Sequence, residues 1–142
     1  MCLHELGHII SATLNHGKIE KIILVPWKIS QTIISGSSNP LMDVWSGSMI
    51  GVLIPLLIWL PCKINRSVGF YTGIFAGFCL IANGLYIGLG WIDKVGDTGD
   101  ILINNGDISS MLIFGVISTL VGILLWHKCL ETYKIKINEI SG

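Results

Sequence analysis

Val68-Gly69-Phe70-Tyr71-Thr72-Gly73-Ile74-Phe75-Ala76-Gly77-Phe78-Cys79-Leu80-Ile81-Ala82-Asn83-Gly84-Leu85-Tyr86-Ile87-Gly88-Leu89-Gly90-Trp91-Ile92 carries no charged side chain. A bilayer core takes about 20 helical residues to cross, so this run is long enough to span one. Ser46 to Ile64 and Ser110 to Trp126 have the same apolar character. Packed as buried hairpins of a soluble domain, three such runs in 142 residues would leave no polar shell to cover them. The pattern predicts a mainly α, polytopic membrane protein with three full spans.

Composition agrees with one membrane-embedded domain over 1–142, since apolar residues make up 51% and charged residues only 13%. The formal charge is zero, with no basic stripe for nucleic acid and no acidic tail. The lipid bilayer is therefore an expected partner, and nucleic acid is not. Cys2, Cys62, Cys79 and Cys129 are scattered, without a Cys-x-x-Cys pair, and read as small apolar residues rather than a disulfide framework or a thiolate metal site. No basic region followed by an apolar stretch and a small-residue cleavage site opens the chain, so the spans themselves would direct insertion.

Within the long run, Gly69, Gly73 and Gly77 recur every fourth residue, as do Gly84 and Gly88. That spacing lays a flat seam along one helical face, where another helix can approach closely. Pro55 is tolerated inside a membrane helix and can kink it, and Trp45 suits the interface. Lys18 to Ser35 is rich in β-branched residues and interrupted by Pro26, which predicts two short strands or a hairpin. Ser35 to Pro40 reads as a loop. The segment from Asp93 to Asp107 is the most acidic, and the tail after Trp126, with Lys134, Lys136 and Glu139 among Tyr133, Ile135 and Ile137, reads as a short strand or as disordered.

Chemistry is concentrated at the other end, in His4-Glu5-Leu6-Gly7-His8. Met1 to Asn15 reads as a helix stopped near Asn15-His16-Gly17, which puts His4 and His8 one turn apart on one face, where both imidazoles can reach one Zn²⁺. Glu5 between them can act on a zinc-bound water, and together these are the core of a zinc hydrolase. Chance would produce the pattern in only a few per thousand chains of this size, on the order of magnitude set by residue frequencies. At about 1.5 Å per residue this helix is too short to span alone, so it is either a half-helix packed among the others or the remainder of a longer one that starts upstream of Met1.

A catalytic zinc usually takes three protein ligands. His16 lies about 12 Å along the axis from His8 and about 80° around the helix, which excludes it unless the helix breaks. Glu20 would have to fold back from the next strand, and Asp43 and Asp93 have no distinctive setting. Asp97 is favoured on topology: if the first helix and the long central run point the same way, the loop after Ile92 meets His8 on one membrane side. Asp100, one turn further if that segment is helical, is a second ligand candidate or a partner that orients a histidine.

The His-Glu-x-x-His motif in a membrane helix, with Ala12 and Gly17 behind it, a strand region and a distal Asp before Ile-Leu, resembles the site-2 protease family of intramembrane zinc metallopeptidases. In that family the third ligand is the Asp of a Leu-Asp-Gly-Gly-type motif. Asp97-Thr98-Gly99-Asp100-Ile101-Leu102 matches it at Asp97, Gly99, Ile101 and Leu102. The family usually has an Asn and prolines just before that Asp; here no proline precedes Asp97, and Asn83 is the nearest intramembrane Asn. The resemblance implies a zinc-dependent endopeptidase with His4, His8 and Asp97 as ligands, Glu5 as the catalytic base, and the strand region from Ile19 to Ile34 clamping an extended substrate by edge pairing. A catalytically inactive protein of the same fold, binding a metal or a partner helix, is the alternative. The family would place the site toward the cytosol; Lys63, Arg66, Lys128, Lys134 and Lys136 on one side against Lys18, Lys21, Lys28 and Lys94 on the other argue weakly for the reverse.

Overall fold

The computed structural model describes residues 2–25 and 30–141, with side chains through residue 134. In chain order these residues form α1 (Cys2–Leu14), β1 (Lys18–Ile23), β2 (Gln31–Ser35), α2 (Pro40–Cys62), α3 (Arg66–Gly90), α4 (Asp97–Ile103) and α5 (Ile108–Ser141). The fold is mainly helical, and α2, α3 and residues Ile108–Lys134 of α5 are each long and apolar enough to cross a membrane. Leu53, Leu57, Phe75, Phe78, Val116 and Leu124 remain exposed on their outer faces, an exterior suited to hydrocarbon and prone to association in water.

The three long helices follow the three apolar runs, but α2 starts at Pro40 rather than Ser46. The Asn39 side chain accepts from the Met42 N–H at 3.2 Å, and Pro40 fills the first turn, where a missing N–H breaks no helical bond. Asp43 therefore lies inside the helix. The glycine seam of α3 faces α5, as its spacing predicts. A Cβ on Gly88 would sit 2.9 Å from the Cα of Gly115, so the two backbones nearly touch there.

The tail corrects an expectation: α5 continues through Ser141, neither strand nor disordered. No Gly or Pro interrupts it after Gly122, and Tyr133 stacks on Phe70 with ring centroids 4.5 Å apart, fastening the extension to the start of α3. The short helix α4 also goes beyond the four helices expected.

The predicted hairpin is present. β1 and β2 pair antiparallel, with Ile19 opposite Ile34 and Ile23 opposite Gln31, and an irregularity between Ile19 and Lys21. Pro26, where a break is expected, and Lys28 lie outside the described residues. At the end of α1, His16 takes the left-handed conformation at φ 57°, and the Gly17 N–H reaches the Ala12 carbonyl at 2.7 Å. Ser11 and Asn15 lie by Asp43 while His4 lies by Asn83, so α1 runs antiparallel to α2 and parallel to α3.

Candidate metal centre

The crossing of α1 over α2 depends on two glycines. A Cβ on Gly7 would lie 2.7 Å from the carbonyl carbon of Ser46 and 2.8 Å from the Cα of Gly47. A Cβ on Gly47 would lie 2.9 Å from Nε2 of His4 and 2.5 Å from Cε1 of His8. Both imidazoles thus rest on bare backbone, their ring centroids 4.9 Å apart. Gly47 is seven residues into α2, which places the rings about 10 Å inside the end of the bundle.

α4 brings the third group. Thr98, fully buried, donates its hydroxyl to the carbonyls of Gly90 and Val95, each at 2.9 Å, and fixes the short helix against the end of α3. The Asp97 N–H donates to the Tyr86 hydroxyl at 3.1 Å. The Asp97 carboxylate then reaches inward: its Oδ2 is 2.6 Å from Nε2 of His4 and 3.4 Å from Nε2 of His8. His4, His8 and Asp97 together form a group that could hold a metal ion.

The other ring nitrogens decide what that group accepts. His4 Nδ1 faces Asn83 Oδ1 at 3.0 Å, and His8 Nδ1 faces the Asp43 main-chain carbonyl at 2.8 Å. The Asn83 amide is oriented by its own Nδ2, which donates to the Cys79 carbonyl at 2.8 Å. Since neither oxygen has a hydrogen to give, each Nδ1 carries the proton and donates it. Both Nε2 lone pairs then point at a carboxylate oxygen, an arrangement satisfied only by a proton or a cation between them. Ligand atoms around a tetrahedral ion with bonds of about 2.1 Å lie about 3.4 Å apart, the separation the His8–Asp97 pair already has.

Glu5 lies beside this cluster and is only 3% exposed. Its Oε2 accepts the Thr32 hydroxyl at 2.6 Å, so β2 holds the carboxylate from the hairpin side. A cavity of about 570 Å³ opens from the cluster, lined by His8, Tyr86, Asp97, Asp100 and residues Ser30 to Ile34 of the hairpin. Among the described residues the sheet has two strands, so one edge of β2 is unpaired.

Of the residues singled out from sequence, the structure brings together His4, Glu5, His8, Asp97 and Asn83. Asp100 stands on the cavity wall, outside the cluster, and His16, Glu20 and Asp93 are exposed at a distance from it. Asp43 is not a ligand: its carbonyl orients His8, while its carboxylate accepts from Ser11 Oγ and Asn15 Nδ2, both at 2.7 Å, and ties down the end of α1. Sequence reasoning passed over Gly47, Thr32 and Thr98. The only available signals were small residues facing a histidine motif and a hydroxyl in an alternating strand.

The electrostatics give a pH dependence. Burial pushes the His8 pKa down, but the hydrogen bond and charge of Asp97, the Asp43 carbonyl and Glu5 outweigh it, and the net shift is upward from 6.5. Burial raises Asp97, yet hydrogen bonds from both histidines bring it down to about 2. A raised histidine stabilises the metal-free fold below its unfolded pKa of 6.5, and that contribution fades as pH rises through the folded pKa. The lowered Asp97 contributes above 3.8 and fades only toward 2. Metal competes with the His8 proton, so metal affinity is expected to rise with pH across and above 6.5, by up to tenfold per unit, in a competition titration with a chromophoric chelator. Affinity independent of pH from 6 to about 8 would remove His8 from the ligand set.

Comparison with protein-family models, with curated proteins and with solved structures finds no match to this chain.

Proposed function

We propose that the chain is an integral, multi-pass membrane protein whose His4, His8 and Asp97 hold a zinc ion, and that it hydrolyses peptide bonds of membrane-associated proteins in the manner of site-2 proteases. The observation that carries the reading is the position of Glu5, a buried carboxylate on the same helix as the two imidazoles, held by Thr32 on the wall of the cavity that His8 and Asp97 also line. Burying such groups between apolar helices is costly and points to function. Two imidazoles and one carboxylate leave a position open, as catalytic zinc sites do. When bound, the ion supplies Lewis acidity toward water and the scissile carbonyl. Glu5 takes the proton from the attacking water and returns it to the leaving amine, Thr32 holds the carboxylate in place, and Asn83 and the Asp43 carbonyl hold the two rings. A helical substrate must unwind before its peptide bond is accessible, and the unpaired edge of β2 along the cavity offers the extended stretch a partner.

Glu5→Gln keeps the shape and removes the base. It is expected to retain metal and lose cleavage of a membrane-protein substrate by about 10²- to 10⁴-fold, the usual worth of a positioned general base. Equal cleavage by both forms would end the proposal, and cleavage by neither, with metal bound, would favour the inactive metal-binding alternative. Thr32→Val removes one hydroxyl at nearly constant volume. Metal content is expected to stay the same while kcat falls by about tenfold, a typical cost when an orienting partner is lost.

A further inference from the structure

A second pocket lies at the opposite end of the bundle, where α2 ends, α3 begins and α5 passes residues 128–133. It encloses about 230 Å³ between Trp59, Phe70 and Tyr133, with Lys63, Arg66 and Lys128 at its rim. At about 30 Å³ per water that is room for roughly eight waters, enough for a phosphodiester head and its first glycerol atoms. Among the described residues no carboxylate lines it, and neither Lys63 nor Lys128 makes an ion pair. The Lys63 ammonium lies over the Trp59 ring, 5.8 Å from its centroid. This end contrasts with the metal end, where Asp43, Asp93, Asp97, Asp100 and Asp107 gather.

The position selects the ligand. α2 and α3 turn around at this pocket, so it sits where three spans leave the hydrocarbon, with Trp59 and Tyr133 in the ring positions favoured at an interface. Basic pockets between spans at that level suit anionic headgroups, and the apolar helix faces beside it suit the acyl chains. We propose that this pocket binds the phosphate of an anionic phospholipid, held by Lys63 and Lys128 against the Trp59 and Tyr133 rings. The site is independent of the metal centre and of any catalysis.

Native mass spectrometry of the full chain in detergent, titrated with phosphatidylglycerol or phosphatidylcholine, tests this. One phosphatidylglycerol is expected to stay bound. At about fivefold per lysine, Lys63→Gln with Lys128→Gln should weaken it about 25-fold. The double Arg replacement at the same two positions should stay within about threefold, and Lys18→Gln with Lys21→Gln at the metal end should change nothing. If the double Gln variant does not fold, Lys128→Gln alone should show about a fivefold loss. Equal retention of the two lipids, or unchanged affinity in the Gln variants, would overturn the proposal. Inorganic phosphate that displaces phosphatidylglycerol at millimolar concentration would do the same, by assigning the pocket to a free anion.

Discussion

Asp97→Ala is expected to strip the chain of zinc, from near one ion per protein to near none, while Asp100→Ala leaves the content unchanged. The two residues are one turn apart on α4, and only Asp97 joins the imidazoles. Without it, two neutral nitrogens would face a dication about 10 Å inside an apolar bundle with no opposing charge from the ligand set. Loss of a residue that merely orients a ligand costs about 10- to 100-fold in metal affinity, so loss of the anionic ligand should exceed about a hundredfold. Asp97→Asn separates charge from shape: it can still accept from a protonated ring, yet it should hold metal poorly. Elemental analysis of the detergent-purified chain, with circular dichroism to show that the helices persist, is the measurement. Zinc kept by Asp97→Ala and lost by Asp100→Ala would reverse the assignment.

His4, Glu5 and His8 were legible because helix periodicity is local: four residues of spacing fix a common face wherever the helix packs. The three long apolar helices were legible for a related reason, since length and hydropathy need no partner. Asp97 required topology, namely the parallel run of α1 and α3, and the resemblance to a known motif supplied what spacing alone left open between it and Asp100. The part Asp43 plays was not legible because its contribution to His8 is a main-chain carbonyl, which every residue owns and no sequence marks. The bond between Thr32 and Glu5 crosses 27 positions and depends on how the hairpin folds over α1. The tail beyond Trp126 was ambiguous because a few alternating residues fit both periods, and the stacking of Tyr133 on Phe70 that resolves it is a tertiary contact.

The absence of a side chain at Gly47 carries as much of the site as any side chain does, and Gly47→Ala is expected to abolish metal binding while leaving the three long helices intact. The added Cβ would fall 2.5 Å from the His8 ring and 2.9 Å from Nε2 of His4, too close for either imidazole to stay. α1 is tethered against retreat as a unit, because Ser11 and Asn15 bind the Asp43 carboxylate at 2.7 Å. The rings must therefore turn, which breaks their bonds to Asn83 and to the Asp43 carbonyl and takes both Nε2 atoms off Asp97. Gly51, one turn further along α2, sets the scale: a Cβ there would meet the Asn83 amide at 2.9 Å and disturb only the group that orients His4. Gly51→Ala should then cost about 10- to 100-fold in affinity, and Gly47→Ala more than either limit. Isothermal titration with zinc, beside thermal melts of the metal-free proteins, separates loss of the site from loss of the fold. Wild-type affinity in Gly47→Ala would mean that the imidazoles do not lie on α2.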